Sequence, residues 1–112
     1  MTDFEQKREH FRIDYPLSKT AKVHIKDRAY GVIDISQRGI KFSVEKNIRP
    51  EGWMMFENVT GTIEFLVGRK HNFGGRVLRV TPADIILHLD QDIPLNLMND
   101  EHRFIINNFP RS

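Results

Sequence analysis

The stretch "YGVIDISQRGIKFSVE", residues 30–45, decides the fold. Two runs rich in apolar side chains stand on either side of the pair Gln37-Arg38, and apolar and polar residues alternate along each run. In the second run Ile40 and Phe42 fall on one face because the side-chain period of a strand is two. The pattern predicts two antiparallel strands joined by a tight turn, with one face toward a core.

Strand patterns of the same kind continue on both sides of this hairpin. They are "AKVHIK" (21–26), "GTIEFLV" (61–67), "GGRVLRV" (74–80) and "DIILHLD" (84–90). Segments rich in Gly, Pro, Asn and Asp separate them, as turns do. About six short strands at this spacing predict an all-β fold, a small antiparallel β-barrel, since closure into a barrel removes the exposed edges of the sheet.

The two ends of the chain differ from the middle. Residues 1–16 are charged and contain few large apolar side chains, so they are expected to form a flexible N-terminal arm ahead of a single barrel domain at 17–112. The ending "LNLMNDEHRFIINNFP", residues 95–110, repeats its apolar residues at helical spacing. It predicts one C-terminal helix, capped by Asn99 and packed on the barrel. Trp53 and its neighbours in "GWMMF" are expected in the core, with an interface patch as the alternative.

Composition bounds the possible functions. The chain has 112 residues, enough for one domain, with 39% hydrophobic and 29% charged residues and no cysteine. It contains no apolar run of membrane-spanning length and no signal-peptide pattern, so a cytoplasmic protein without a membrane partner is expected. The net charge is +2, but residues 1–50 carry +4 and residues 51–112 carry −2. This asymmetry favours a small anionic partner for the first half.

Motifs for catalysis and for metal binding are missing from the sequence. None of the five histidines pairs with another at ligand spacing, and no nucleophile elbow or phosphate-binding glycine loop is present. The glycine-rich stretch "GRKHNFGG", residues 68–75, lies between two strand patterns and indicates a hairpin. We therefore expect neither an enzyme nor a protein with a metal or a cofactor.

The motif "DISQRG" runs from Asp34 to Gly39 and carries the most specific chemistry. If Ile33 and Ile35 fill the core, Asp34 and Ser36 project outward together. A carboxylate accepts two hydrogen bonds at once and matches the N1–H and N2–H₂ donors of guanine. Gly39 would tolerate a positive φ and leave room for a flat ligand. The alternative is a plain hairpin, with Ser36 as turn former and Gly39 in the left-handed conformation.

A second motif lies in the arm, in "KREHFR", where Arg8 and Arg12 form the pattern R-x-x-x-R. Two guanidinium groups can grip phosphate or the guanine O6/N7 edge, although a solvated basic tail has the same appearance. Composition predicts about 0.9 such pairs by chance, against roughly 0.03 for Asp/Asn-x-Ser-x-x-Gly. The motif Asp/Asn-x-Ser-x-x-Gly is therefore the informative one of the two.

Together the two motifs resemble a known family. R-x-x-x-R about twenty residues ahead of Asp/Asn-x-Ser-x-x-Gly, followed by barrel strands and a closing helix, is similar to the PilZ domain, a bacterial receptor for cyclic di-GMP. The resemblance implies that Arg8 and Arg12 hold phosphate and guanine. It also implies that Asp34 and Ser36 contact a guanine, and that Gly39 permits the close approach.

Lys7 precedes Arg8 where some members of that family have a second arginine. In the family this neighbourhood affects whether one ligand or a stacked pair binds, so the stoichiometry stays open. The charged composition of residues 1–14, with few apolar side chains, predicts that they are mobile in the free protein and become ordered on cyclic di-GMP. The receptor is then expected to signal to an unidentified downstream effector protein, as a monomer or homodimer. Two alternatives remain: a small barrel that binds single-stranded nucleic acid, for which the net charge is low, and an adaptor that needs no ligand.

Overall fold

The structure, a computed structural model, describes residues 11–44 and 53–109. These residues form seven strands and one helix. In chain order they are β1 (Arg12–Asp14), β2 (Lys22–Ile25), β3 (Arg28–Ser36), β4 (Gly39–Ser43), β5 (Asn58–Glu64), β6 (Lys70–Val80), β7 (Asp84–Leu89) and α1 (Leu95–Asn108).

Six of the strands close into a barrel. The pairings run from β3 to β2, β5, β6, β7 and β4, and β4 pairs again with β3. Every pair is antiparallel. The seventh strand, β1, lies along β3 beyond the end of β2 and is extra to the barrel. The predicted all-β barrel of about six strands with a C-terminal helix is confirmed.

The core is formed by the inward side chains of the barrel strands. Ile40 and Phe42, predicted to face inward, are at most 1% exposed. Val23, Ile63 and Leu87 from other strands are fully buried with them. Each such side chain contributes about 1.5–3 kcal/mol when it is removed from water. The alternating pattern of the sequence therefore gives the inner and outer faces correctly.

One inward position in the first hairpin was predicted wrongly. Ile33 is 36% exposed, whereas Val32 and Ile35 are fully buried. The pairing of β3 with β4 shifts register between Val32 and Asp34, which is a β-bulge at Ile33. Because the bulge adds one residue, Ile33 and Asp34 both lie outside the core.

The end of the predicted arm joins the sheet. Residues 12–14 form β1, with Ile13 2% exposed and opposite Ile35 of β3. Tyr15 is 8% exposed, and its amide donates to the carbonyl of Ile33 at 3.0 Å. The expectation that residues up to 16 lie outside the core was wrong for these two side chains. Alternation in "RID" is too short to be recognised as a strand from sequence.

Helix α1 begins earlier than predicted. Its first backbone donors, the amides of Leu97 and Met98, both bond to the carbonyl of Pro94 at 3.1 Å. The helix therefore begins at Leu95, and Asn99 lies within it instead of capping it. Leu97, Met98 and Ile105 are buried against the barrel, which confirms the predicted apolar face of the helix.

The helix also buries one polar side chain, Glu101, which is fully inaccessible. Its carboxyl oxygens accept from the hydroxyl of Tyr15 at 2.7 Å and from the amides of Leu66 and Val67 at 2.9 and 3.1 Å. Burial and the adjacent Glu101 raise the pKa of Tyr15 well above its usual range, so the hydroxyl keeps its proton and donates. Glu101 thus joins the helix, the β5–β6 hairpin and the residue that follows β1.

The tryptophan cluster divides between core and surface. The ring of Trp53 packs on Tyr30 and Phe42, with centroids 6.1 and 5.7 Å apart. Met54 and Phe56, in contrast, are 66% and 63% exposed. The prediction of a core position is met only in part by Trp53, which is partly buried against the core, and it fails for the exposed residues that follow.

Candidate functional site

Strand β1 brings the two sequence motifs together. Arg12, the second arginine of R-x-x-x-R, lies directly opposite Ser36 in the β1–β3 register. Asp14 lies opposite Asp34 in the same pair of strands. Because residues opposite each other in an antiparallel pair share a face, all four side chains lie on the outer face of the barrel. One motif arginine and the two polar residues of "DISQRG" therefore form a single surface.

The turn inside "DISQRG" is fixed by the segment that leads into the helix. The carbonyls of Gln37 and Arg38 accept from the amides of Ile93 and Leu89, each at 2.8 Å. The side-chain amide of Gln37 donates to the carbonyl of Ile93 at 3.0 Å. The guanidinium of Arg38 pairs with Asp92 at 2.7 Å. The turn residues are therefore structural, and they hold the polar positions on either side of them in place.

Gly39 acts through space and not through backbone conformation. Its φ is not positive, unlike that of Gly68 at 95°, so the left-handed conformation that the plain-hairpin alternative requires is wrong. A Cβ at Gly39 would lie 3.2 Å from the Oγ of Ser36 and 3.6 Å from the carbonyl of Leu87. The hydroxyl of Ser36 reaches the carbonyl of Gly39 only at 3.5 Å, a weak contact that leaves it free to bind elsewhere.

The electrostatics around Asp34 favour a ligand with hydrogen-bond donors. Partial burial raises the pKa of Asp34, and the positive charges of Arg12 and Lys41 oppose that shift. Asp14 raises the pKa further and also lies 3.7 Å from the Nε of Arg12. Within the described residues the carboxyl of Asp34 makes no side-chain hydrogen bond. It is a partly desolvated acceptor whose hydrogen-bonding capacity is unused.

The outward-facing positions Arg12, Ser36 and Gly39 lie opposite one another across β1, β3 and β4, and this outer row continues past Gly39. Gly39 is opposite His88 on β7, and His88 is opposite Arg76 on β6. His88 and Arg76 are exposed, while the residues next to them, Leu87 and Val77, are fully buried. The sequence places these side chains on the surface but does not give the register that aligns them with the motif. For that reason they were missed.

The remaining predicted site residues, Lys7 and Arg8, lie outside the described residues. Arg12, Asp34, Ser36 and Gly39 are brought together, whereas the position of the other two relative to this surface is not described. Their membership of the site remains a prediction from the motif.

A comparison with known families identifies this combination of motif and barrel. The sequence profile of the PilZ domain matches residues 6–107. The chain belongs to the PilZ domain family. PilZ domains are receptors for cyclic di-GMP and not enzymes, and the match spans both R-x-x-x-R and Asp-x-Ser-x-x-Gly. No curated protein and no solved structure matches the chain.

The described part of the PilZ barrel lacks the features of three other kinds of site. In the ranges 11–44 and 53–109, no group of three or more His, Cys, Asp or Glu side chains could hold a metal ion. The helix in those ranges is neither long nor apolar enough to cross a membrane. Phe42 and Phe65 are at most 2% exposed, so these rings cannot stack on the bases of a single-stranded nucleic acid.

Proposed function

We propose that this PilZ domain binds cyclic di-GMP on the outer face formed by β1, β3 and β4. Asp34 accepts hydrogen bonds from the N1–H and N2–H₂ groups of one guanine, and the hydroxyl of Ser36 contacts the same guanine. Arg12 supplies a planar fork for a phosphate or for guanine O6/N7. Gly39 leaves the surface flat enough for the nucleotide to lie against the backbone.

The register of β1 with β3 is the observation that carries this proposal. In that register Arg12 is opposite Ser36, two positions along β3 from Asp34. Two motifs more than twenty residues apart in sequence thus present an anion-binding group beside a hydrogen-bond acceptor. A plain hairpin would not need an arginine at that position.

The arm completes the site in this proposal. Arg8 provides the second guanidinium, and Lys7 bears on whether one ligand or a stacked pair is bound. The arm becomes more ordered when the phosphates and guanines provide partners for its charges, because these contacts offset an ordering cost of roughly 1–2 kcal/mol per residue in backbone entropy. The ordered arm then forms a surface that a downstream effector protein reads.

Calorimetric titration with cyclic di-GMP and with cyclic di-AMP tests the proposal. We expect clear preference for cyclic di-GMP, because adenine lacks the O6 acceptor and the N2 amino group. Each lost base contact should cost ~1–3 kcal/mol, by analogy with base recognition in DNA. Equal heats for the two dinucleotides would contradict the assignment of Asp34 to a guanine.

A single-stranded oligonucleotide serves as the control ligand. Binding to the oligonucleotide with no response to cyclic di-GMP would favour the nucleic-acid alternative. Absence of binding to either, in a protein with a cooperative thermal transition, would favour an adaptor that needs no ligand.

A further inference from the structure

The outer row of the barrel has an arginine on each side of Gly39. From one end the row consists of Arg12, Ser36, Gly39, His88 and Arg76, each opposite the next in an antiparallel register. Gly39 is two strands from Arg12 and two strands from Arg76. At ~4.8 Å between strands, each arginine backbone lies roughly 10 Å from the glycine along the surface.

The side chains beyond Gly39 have no partner within the described part of the chain. Arg38, Arg69 and Arg103 are each paired with an aspartate. Arg76 and His88 make no side-chain hydrogen bond or ion pair with residues 11–44 or 53–109. An exposed guanidinium and an imidazole next to a bare glycine can therefore accept a ligand without losing a contact.

The ligand of the proposed function has two halves. Cyclic di-GMP carries two guanines and two phosphates, and the sequence motif on β3 accounts for one guanine. A nucleotide that lies across Gly39 with one half on Asp34 and Ser36 must place its other half toward β7 and β6. The groups on that side are His88 and Arg76.

We propose that Arg76 and His88 form a second contact area for the bound dinucleotide, in which Arg76 pairs with a phosphate and His88 donates to the ligand from the adjacent strand. This inference rests on the proposed binding of cyclic di-GMP and extends the site from β3 and β4 onto β7 and β6. The family motifs do not include either residue. Arg76 and His88 act as binding residues, and the barrel does not need them for folding because both are exposed.

Titration of cyclic di-GMP into Arg76→Ala tests the inference, with Arg28→Ala as the matched control. Arg28 is also exposed but begins β3, eight positions from Ser36 and roughly 26 Å away along the strand. We expect Arg76→Ala to weaken binding roughly tenfold, as the loss of a charge-assisted contact does, and His88→Ala to weaken it roughly threefold. Arg76→Lys should bind better than Arg76→Ala, and the melting temperatures of all variants should match that of the wild type.

The outcomes separate this inference from the proposed function. If the wild type binds, Arg12→Ala loses affinity and Arg76→Ala behaves like Arg28→Ala, the second contact area is refuted and the first stands. If the folded wild type does not bind cyclic di-GMP, both proposals fail. Should Arg76→Ala be unstable, Arg76→Gln supplies the same test, since it keeps a long polar side chain without the charge.

Discussion

Two polar clusters of this PilZ barrel differ in how completely the chain itself satisfies them. Under the helix, Glu101 is fully buried and receives three hydrogen bonds, one of them from Tyr15. On the outer face, Asp34 and Ser36 are partly exposed. Among the described residues their only side-chain hydrogen bond is the weak 3.5 Å contact of Ser36. Both clusters contain a carboxyl group next to residues 12–15.

The difference separates a cluster that stabilises the fold from one that is open to a ligand. A buried polar group must have its partners within the protein, because leaving it without one costs about 1–3 kcal/mol. A partly exposed group meets no such requirement, since water supplies its partners until a ligand arrives. Changes in the first cluster should therefore alter stability, and changes in the second should alter affinity.

Glu101→Ala should give the largest effect on stability. The change leaves the hydroxyl of Tyr15 and two backbone amides without their acceptor, so the free energy of unfolding should fall by about 3–5 kcal/mol. Urea unfolding measures it. Asp100→Ala is the matched control: its carboxylate is 40% exposed, and its ion pairs with Arg69 and Arg103 lie on the surface and contribute about 0–1 kcal/mol. Equal losses in the two variants would remove the distinction between the clusters.

Arg12→Ala should give the largest effect on affinity. Its side chain is 59% exposed and pairs only loosely with Asp14, so the melting temperature should change little. The affinity for cyclic di-GMP should fall about tenfold or more, where a factor of ten corresponds to ~1.4 kcal/mol of binding free energy. Arg12→Lys should restore only part of the lost affinity, because an ammonium group cannot make the bidentate contact. Calorimetry beside the control Arg28→Ala measures this, and the sequence motif predicts the same loss for Arg8→Ala. Wild-type affinity in Arg12→Ala and Arg8→Ala would mean that neither arginine of the arm contacts the ligand.

Asp34→Asn should separate stability from binding. Desolvation raises the pKa of Asp34 in the free protein. The protonated carboxyl therefore contributes to stability, fully below the unfolded-state pKa, and this contribution is lost as the pH rises through the folded-state pKa. At neutral pH the asparagine variant should therefore be at least as stable as the wild type. Its affinity should fall, because the amide has one acceptor oxygen in place of two, and Asp34→Ala should lose more. Thermal unfolding at several pH values and calorimetry check the two quantities. A less stable variant with unchanged affinity would support the plain hairpin.

The barrel and the outward direction of Asp34 and Ser36 could be predicted from the sequence, because both depend on local alternation. Ile40 and Phe42 face inward and Asp34 and Ser36 face outward as a period of two requires. It did not predict the bulge at Ile33, which becomes visible only when β4 is aligned with β3.

Residues that act through long-range pairing were missed for the same reason. Glu101 meets Tyr15 across 86 positions of sequence, and its position just after the predicted cap Asn99 gave no sign of burial. The alignment of Arg76 and His88 with Gly39 likewise requires the register of three strands. The chemistry of a position can be predicted from sequence, but its neighbours on another strand cannot.

The smallest expected effect concerns the link between the two clusters. Strand β1 has three residues and, among the strands that the structure describes, pairs with β3 alone. It is followed by Tyr15, which donates to Glu101. A short edge strand opens with little free energy, so the amides of residues 12–14 should exchange faster in the free protein than those of β4 or β7, which pair on both edges. Ligand held by Arg12 should slow exchange in 12–14, and also in 6–10 if the arm becomes ordered as proposed. Hydrogen exchange with and without cyclic di-GMP measures these differences, with β7 as the internal reference.

Tyr15→Phe provides the control, since it weakens the anchor of β1 and leaves the outer face unchanged: exchange at 12–14 should speed up in the free variant and slow again on binding. If 12–14 are as protected as β7 without ligand, β1 is already fixed, and any change that an effector reads must lie in residues 1–10.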